Sequence, residues 1–214
     1  MAILEGVYSA SVIDNRDPEN LARVRVRIAS LAETKAGLWA RLATLMAGSQ
    51  RGTLFVPEVG DEVLIAFERG DIRQPYVIGS LWNAKSPPPS GGASVNDVKL
   101  IRSRNGVTLR ILDDANTGKL TLETSGGQRI VLEESPGAIR IEDSSGSIVK
   151  LSPTGVEIAA AGTVKIAASA IDLSAAAISF HAGIARFDGV VQCQTLVSDS
   201  VVASSYTPGA GNVF

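Results

Sequence analysis

The sequence has little of what catalysis or metal binding usually needs. It holds one cysteine, Cys193, and one histidine, His181. A lone cysteine excludes an intrachain disulfide framework and any cysteine-cluster zinc site built within one chain. A lone histidine leaves no Ser-His-Asp or Cys-His arrangement beside a nucleophile. The carboxylate pairs Asp113/Asp114 and Glu133/Glu134 fall where strands are expected to end, the usual place for solvated turns. Gly91-Gly92 and Gly126-Gly127 are not followed by the Gly-Lys-Ser/Thr of a phosphate loop. No catalytic residue, no cofactor and no enzymatic activity are expected.

Other absences narrow the class further. Aromatic residues make up 5% of the chain, so the second half in particular cannot fill a conventional core with large side chains. No apolar run approaches the roughly eighteen residues of a membrane-spanning helix. The opening Met1-Ala-Ile-Leu-Glu5 carries an acid where a secretory leader would carry basic residues. We therefore expect synthesis in the cytoplasm without a signal peptide. A net charge of −2 offers no global attraction to nucleic acid or to an anionic membrane.

What is present divides at Ser86-Pro87-Pro88-Pro89-Ser90-Gly91-Gly92, which can continue neither a helix nor a central strand. Four segments are expected: a domain over 1–83, a linker over 84–97, a shaft over 98–190 and a terminal segment over 191–214. Before the linker, β-rich runs alternate with turn clusters. Val7 to Ile13 ends at Asp14-Asn15-Arg16-Asp17-Pro18. Arg23-Val24-Arg25-Val26-Arg27-Ile28 alternates strictly, arginines on one face and aliphatics on the other, as a half-buried strand does. Leu54–Val56, Glu62–Phe67 and Tyr76–Ile78 are further strand candidates, while Leu38 to Ala47 fits helix or strand equally. About five strands in this length suggest a small closed barrel.

After the linker an apolar-x-apolar pair recurs: Leu120/Leu122, Ile130/Leu132, Ile139/Ile141, Val149/Leu151, Val156/Ile158, Val164/Ile166, Ile171/Leu173 and Ile178/Phe180. Successive second members lie 10, 9, 10, 7, 8, 7 and 7 residues apart, so the unit shortens along the chain. In a repeat architecture unit length sets the cross-section, and fewer residues mean a narrower shaft. The corners change in step, from Ser-Gly-Gly to Ala-Ala-Ala. A single chain of such short units would expose both edges and an apolar face. Several copies wound round one axis would cover them, each strand advancing the shaft by roughly 4.8 Å.

Particular residues resemble a known family. Trp39-Ala40-Arg41, Pro57-Glu58-Val59-Gly60-Asp61-Glu62-Val63-Leu64, Phe67-Glu68-Arg69-Gly70-Asp71 and Arg73-Gln74-Pro75-Tyr76-Val77-Ile78-Gly79-Ser80-Leu81-Trp82-Asn83 are similar to the OB-fold domain of phage baseplate assembly protein V and VgrG spikes. Ile101-Arg102-Ser103-Arg104-Asn105-Gly106 and Leu112-Asp113-Asp114 resemble the start of the shaft in that family. The resemblance implies an all-β protein: an N-terminal OB-fold barrel followed by a trimeric, intertwined, tapering β-helix, a triangular β-prism. It implies a homotrimeric spike in a contractile baseplate, assembled into a phage tail or tail-like particle. The partners would be a separate baseplate hub protein and a PAAR-type tip protein, and the target membrane would be met only in transient mechanical penetration.

Against this frame each candidate site has a plain reading beside it. Three symmetry copies of His181 could place imidazoles on an axis as metal ligands. The alternation that turns Ile178 and Phe180 inward turns His181 outward, however, so no metal is expected. Cys193 runs in parity with Val191 and reads as a small apolar filler. Arg23, Arg25 and Arg27 form a basic stripe that would serve as an OB-domain interface. The alternative use, an OB-fold nucleic-acid-binding module on a β-solenoid stalk, normally needs stacking aromatics, and the stretch itself supplies none. No nucleic-acid partner is expected. Tyr206, Val213 and Phe214 are expected to form a seat for the tip protein, because a small-residue segment ends in large apolar groups.

Overall fold

The computed structural model describes residues 4–89, 96–114 and 117–205. Its first half is a closed barrel. The strands are β1 (Val7–Asp14), β2 (Val24–Arg27), β3 (Leu38–Leu42), β4 (Ala47–Gly48), β5 (Arg51–Gly52), β6 (Glu62–Phe67) and β7 (Pro75–Leu81). Five of them close in the order β1-β2-β3-β7-β6, with β4 and β5 forming a separate small hairpin. All barrel pairings are antiparallel except β3 with β7. This is the OB-like barrel that the resemblance implies.

Period-two alternation builds its interior. Ala10 and Val12 of β1, Val24 and Val26 of β2, Ala40 of β3, Val63, Ile65 and Phe67 of β6 and Val77 of β7 all point inward and are buried, together with Ile28. Tyr8 meets Phe67 edge to face, with ring centroids 5.6 Å apart. The register slips once in β1, between Val12 and Asp14, and once where β6 meets β7, bulges that help a short sheet to curl shut. Among the described residues one polar residue, Thr34, is fully buried. The Thr34 hydroxyl accepts from the Ile28 amide at 3.0 Å and shares its proton between the carbonyls of Ile28 and Leu31, each 2.8 Å away. It thereby satisfies the backbone where β2 turns toward β3.

One expected strand is not there. Leu54–Val56 is irregular, and the fifth barrel strand is Leu38–Leu42, the segment whose pattern was ambiguous. The reason is burial: Ala40 inserts into the core, whereas Leu54 and Phe55 face outward. Val56 alone of that run packs against the core.

The second half opens with a seven-stranded antiparallel meander: β8 (Val98–Arg102), β9 (Thr108–Asp113), β10 (Gly118–Glu123), β11 (Arg129–Glu133), β12 (Ala138–Glu142), β13 (Ile148–Ser152) and β14 (Gly155–Ala159). At one end its turns repeat a single design. Ser103–Val107, Thr124–Gln128 and Asp143–Ser147 are each closed by an amide-to-carbonyl bond between first and last residue, at 2.8, 3.0 and 3.1 Å. Their fourth residues Gly106, Gly127 and Gly146 take φ of +84°, +85° and +91°, which only glycine adopts without strain. The turns also stack, since a Cβ built on Gly127 would sit 3.4 Å from the Ser144 Cβ of the next one. At the opposite end the connections shrink, from residues 114–117 and 134–137 to Pro153-Thr154 alone. Up to Ile158 the shortening thus has a local cause, since the contracted interval from Leu151 to Ile158 spans the two-residue Pro153-Thr154 connection.

Regular strands stop at Ala159. The described residues 165–205 form a second unit by themselves, with neither strand nor helix and with every residue exposed. The apolar pairs Ile171/Leu173 and Ile178/Phe180 fall in it. A strand of this kind needs a neighbour for its backbone groups and a cover for its apolar face, and one chain offers this segment neither. No helix among the described residues is long and apolar enough to cross a membrane.

Candidate functional site

The meander is two-faced, and its register sorts the side chains. Ile101, Leu109, Leu122, Ile130, Ile141, Val149 and Ile158 stand opposite one another on successive strands and form one aliphatic column. Ile111, Leu120, Leu132, Ile139, Leu151 and Val156 form a second column beside it, headed by Lys99. The reverse face carries a charge ladder. Lys119 meets Glu133 at 3.1 Å, Arg140 lies 3.5 Å from both Glu133 and Glu142, and Arg129 meets Glu142 at 2.6 Å. These side chains are partly buried, between 18% and 47% exposed, and such pairs contribute little each, about 0–1 kcal/mol, but they mark the polar face of the sheet.

The aliphatic face is left uncovered. Its members range from half-buried to exposed, with Ile130 at 39% and Val156 at 70% of full accessibility. Completing the burial of thirteen such side chains would release on the order of 10 kcal/mol per chain before association costs, at roughly 1 kcal/mol each. Soluble monomers rarely present so long an unbroken apolar surface, and its natural use is contact with other chains.

A second surface lies on the outside of the barrel. Arg25 of β2 stands directly opposite Trp39 of β3, and Arg41 of β3 stands beside Tyr76 of β7. The Arg23 guanidinium lies over the Trp39 ring, 5.8 Å from its centroid, and that of Arg41 over Tyr76 at 5.4 Å. Tyr76 in turn donates its hydroxyl to Glu68, whose acceptance of that proton pushes the phenol above its ordinary pKa. The three arginines of the stripe, Arg23 just before β2 and Arg25 and Arg27 within it, are not equivalent. Arg23 is committed to Asp17 and Glu19. Arg25 donates to the Ala36 carbonyl. Arg27 is exposed and makes no ion pair among the described residues. Sequence reasoning found the arginines but missed Trp39, Arg41 and Tyr76, because those rings join the stripe from neighbouring strands.

The remaining candidates separate from these surfaces. His181 and Cys193 are exposed and lie in the segment without strands. Among the described residues no group of His, Cys, Asp and Glu is arranged to hold a metal ion. Tyr206, Val213 and Phe214 lie outside the described residues.

Comparison with known proteins bears on both halves. Residues 8–82 match the family model described as the type VI secretion system/phage-baseplate injector OB domain. Residues 98–159 and again 119–183 match that of the phage baseplate V C-terminal trimerisation domain. The two overlapping matches are displaced by one hairpin, from β8 to β10, so the second half repeats internally. It also keeps its similarity beyond Ala159. The chain is 33% identical over 94 residues to the type VI secretion system spike protein VgrG3 of Vibrio cholerae serotype O1, covering 40% of this chain and 9% of that protein. It is 36% identical over 75 residues to VgrG4b of Pseudomonas aeruginosa, 33% of this chain and 9% of that one. To VgrG1b of the same organism it is 24% identical over 149 residues, 62% of this chain and 20% of that one. It therefore spans a fifth or less of the length of these relatives. The aliphatic face lies within the segment that matches the trimerisation domain.

Proposed function

Because the chain belongs to the phage baseplate V family of spike proteins, with its OB domain and its C-terminal trimerisation domain, we propose that it works as the central spike of a contractile injection particle. Three copies turn the aliphatic faces of β8–β14 toward one axis and leave the charge ladders in water. The thirteen uncovered aliphatic side chains carry this reading. In the trimer the stretch from 160 to about 190 gains the neighbours that its backbone and apolar pairs lack in one chain. The work is mechanical, with no bond made or broken. Sheath contraction drives the shaft through the target envelope, and many backbone hydrogen bonds must fail together before it buckles. Residues 191–214 seat a PAAR-type tip.

The barrel docks on a baseplate hub through Arg25, Arg27, Trp39, Arg41 and Tyr76. Arginine and large aromatics are the side chains that anchor protein interfaces, and Arg27 has a charge to give. The same face could stack single-stranded nucleic acid, the second reading. Asp17 and Glu19 neutralise its most deeply set guanidinium, which favours the protein partner.

Sedimentation equilibrium tests the assembly directly. A species of three times 22.3 kDa is expected at micromolar concentration, and a monomer there would overturn the reading. In a particle-assembly assay Arg27→Glu with Trp39→Ala is expected to lose the hub while remaining trimeric. Retention of the hub, or a salt-sensitive shift with oligonucleotide, would overturn the docking role.

A further inference from the structure

The chain between β3 and β6 leaves the barrel, makes the small β4–β5 hairpin and returns. It contributes Val56 to the barrel core and otherwise faces outward. Four large apolar side chains are displayed on it: Leu45 at 96% exposure, Met46 at 53%, Leu54 at 71% and Phe55 at 70%. The hairpin is held in shape, since the Thr53 amide donates to the Met46 carbonyl at 3.0 Å and Thr44 hydrogen-bonds across to Thr53. A held, exposed hairpin with four large apolar groups is costly in water unless something covers it.

Its position indicates what covers it. Phe55 lines a groove of about 910 Å³ together with Ile101, Leu109, Leu122 and Ile130 of the first aliphatic column. The Phe55 end of the excursion is therefore continuous with the apolar face of the trimerisation domain, at the β8–β9 end. Just beyond Phe55, Glu58 is paired at 2.8 Å with Arg104 in the β8–β9 turn, which ties the root of the excursion to the sheet.

We propose that this hairpin is a second trimer contact, in which Leu45, Met46, Leu54 and Phe55 pack on a neighbouring copy of this chain. It closes the wide end of the apolar interior. The occupant is another copy because the hairpin lies beside the face that the copies turn to one another. The docking patch assigned to the hub uses other strands of the barrel. Trimer contact thus reaches outside the C-terminal half. The inference rests on the trimeric reading above, and its test separates the two.

A photo-crosslinking amino acid is placed at position 45 or 55 of the full chain, with exposed Ser9 of β1 as the control position. Illumination of the purified trimer is expected to give covalent dimers and trimers on a denaturing gel from 45 and 55, and none from 9. In parallel, Leu45→Ser with Phe55→Ser is expected to raise the trimer dissociation constant tenfold or more and to leave the barrel's circular dichroism unchanged. Neither residue belongs to the barrel core. A wild-type trimer whose crosslinks from 45 and 55 stay within one chain would overturn the hairpin contact and leave the trimer standing. That is also the result expected if the hairpin seats another protein of the particle. A monomeric wild type would overturn both.

Discussion

Arg23 grips Asp17 with two parallel hydrogen bonds, Nε to Oδ2 at 3.0 Å and Nη2 to Oδ1 at 2.8 Å. The same carboxylate accepts the backbone amides of Glu19, Leu21 and Arg23, at 3.0, 3.0 and 3.1 Å, so it organises the whole β1–β2 connection. The guanidinium first, and then the amides, hold Asp17 well below the usual carboxylate range. Asp71, bonded to Arg73, is lowered to about 2.

Much of the acid dependence of stability follows from these two groups, with Asp143 also held low by the Ser145 hydroxyl and the Ser147 amide. Both folded pKa values are depressed, so the stabilisation is complete above the ordinary carboxylate value of 3.8 and is lost as pH falls toward the folded values. Thermal melts of the wild type should hold level above about pH 5 and fall steeply between about pH 4 and 2. Asp17→Asn should melt lower at pH 7 and show a shallower acid decline. An unchanged slope would remove Asp17 from the account.

Thr34→Val should destabilise the barrel by about 1–3 kcal/mol, since it strands the Ile28 amide in a dry site, while the Ile28 carbonyl keeps the Leu31 amide. Thr34→Ser keeps the hydroxyl and should recover most of the loss. Urea denaturation followed by tryptophan fluorescence measures both.

Ile141→Asp should separate folding from assembly. Ile141 is 48% exposed in a single chain, so the substitution costs the isolated chain little. In the trimer it buries a carboxylate against the aliphatic column, and sedimentation should show monomers with an intact barrel.

Gly127→Ala should lower shaft stability by about 1–2 kcal/mol per chain, because φ of +85° disfavours any side chain there and the new methyl crowds Ser144. Gly79→Ala, at a position with open space and ordinary φ, is the control, and equal effects at both would refute the turn argument.

Much of this was legible in residue order. Arg23 to Ile28 announces β2 because a half-buried strand needs period two, and Glu62–Phe67 announces β6 for the same reason. The apolar pairs from Leu120 to Ile158 became strands in mutual register. What failed did so physically. Leu54–Val56 looks like a strand because two surfaces, the core and the hairpin's exposed side, draw apolar residues to adjacent positions. Trp39 lies sixteen residues from Arg23 in the chain, and only the β2–β3 register brings the ring beneath the guanidinium. Val164 to Phe180 carries the right pairs, but strands there would need neighbours and a cover that a single chain does not supply.

The stacked turns of the meander have a kinetic consequence. Every strand from β8 to β14 pairs only with its immediate neighbours in the chain. Each pairing closes a loop of a few residues, which forms in microseconds. The barrel, by contrast, must bring β1 to β6 across more than fifty residues. Neither step requires a second molecule. Within one chain, closure of the barrel is therefore the slower of the two folding events, and the meander should be in place before it.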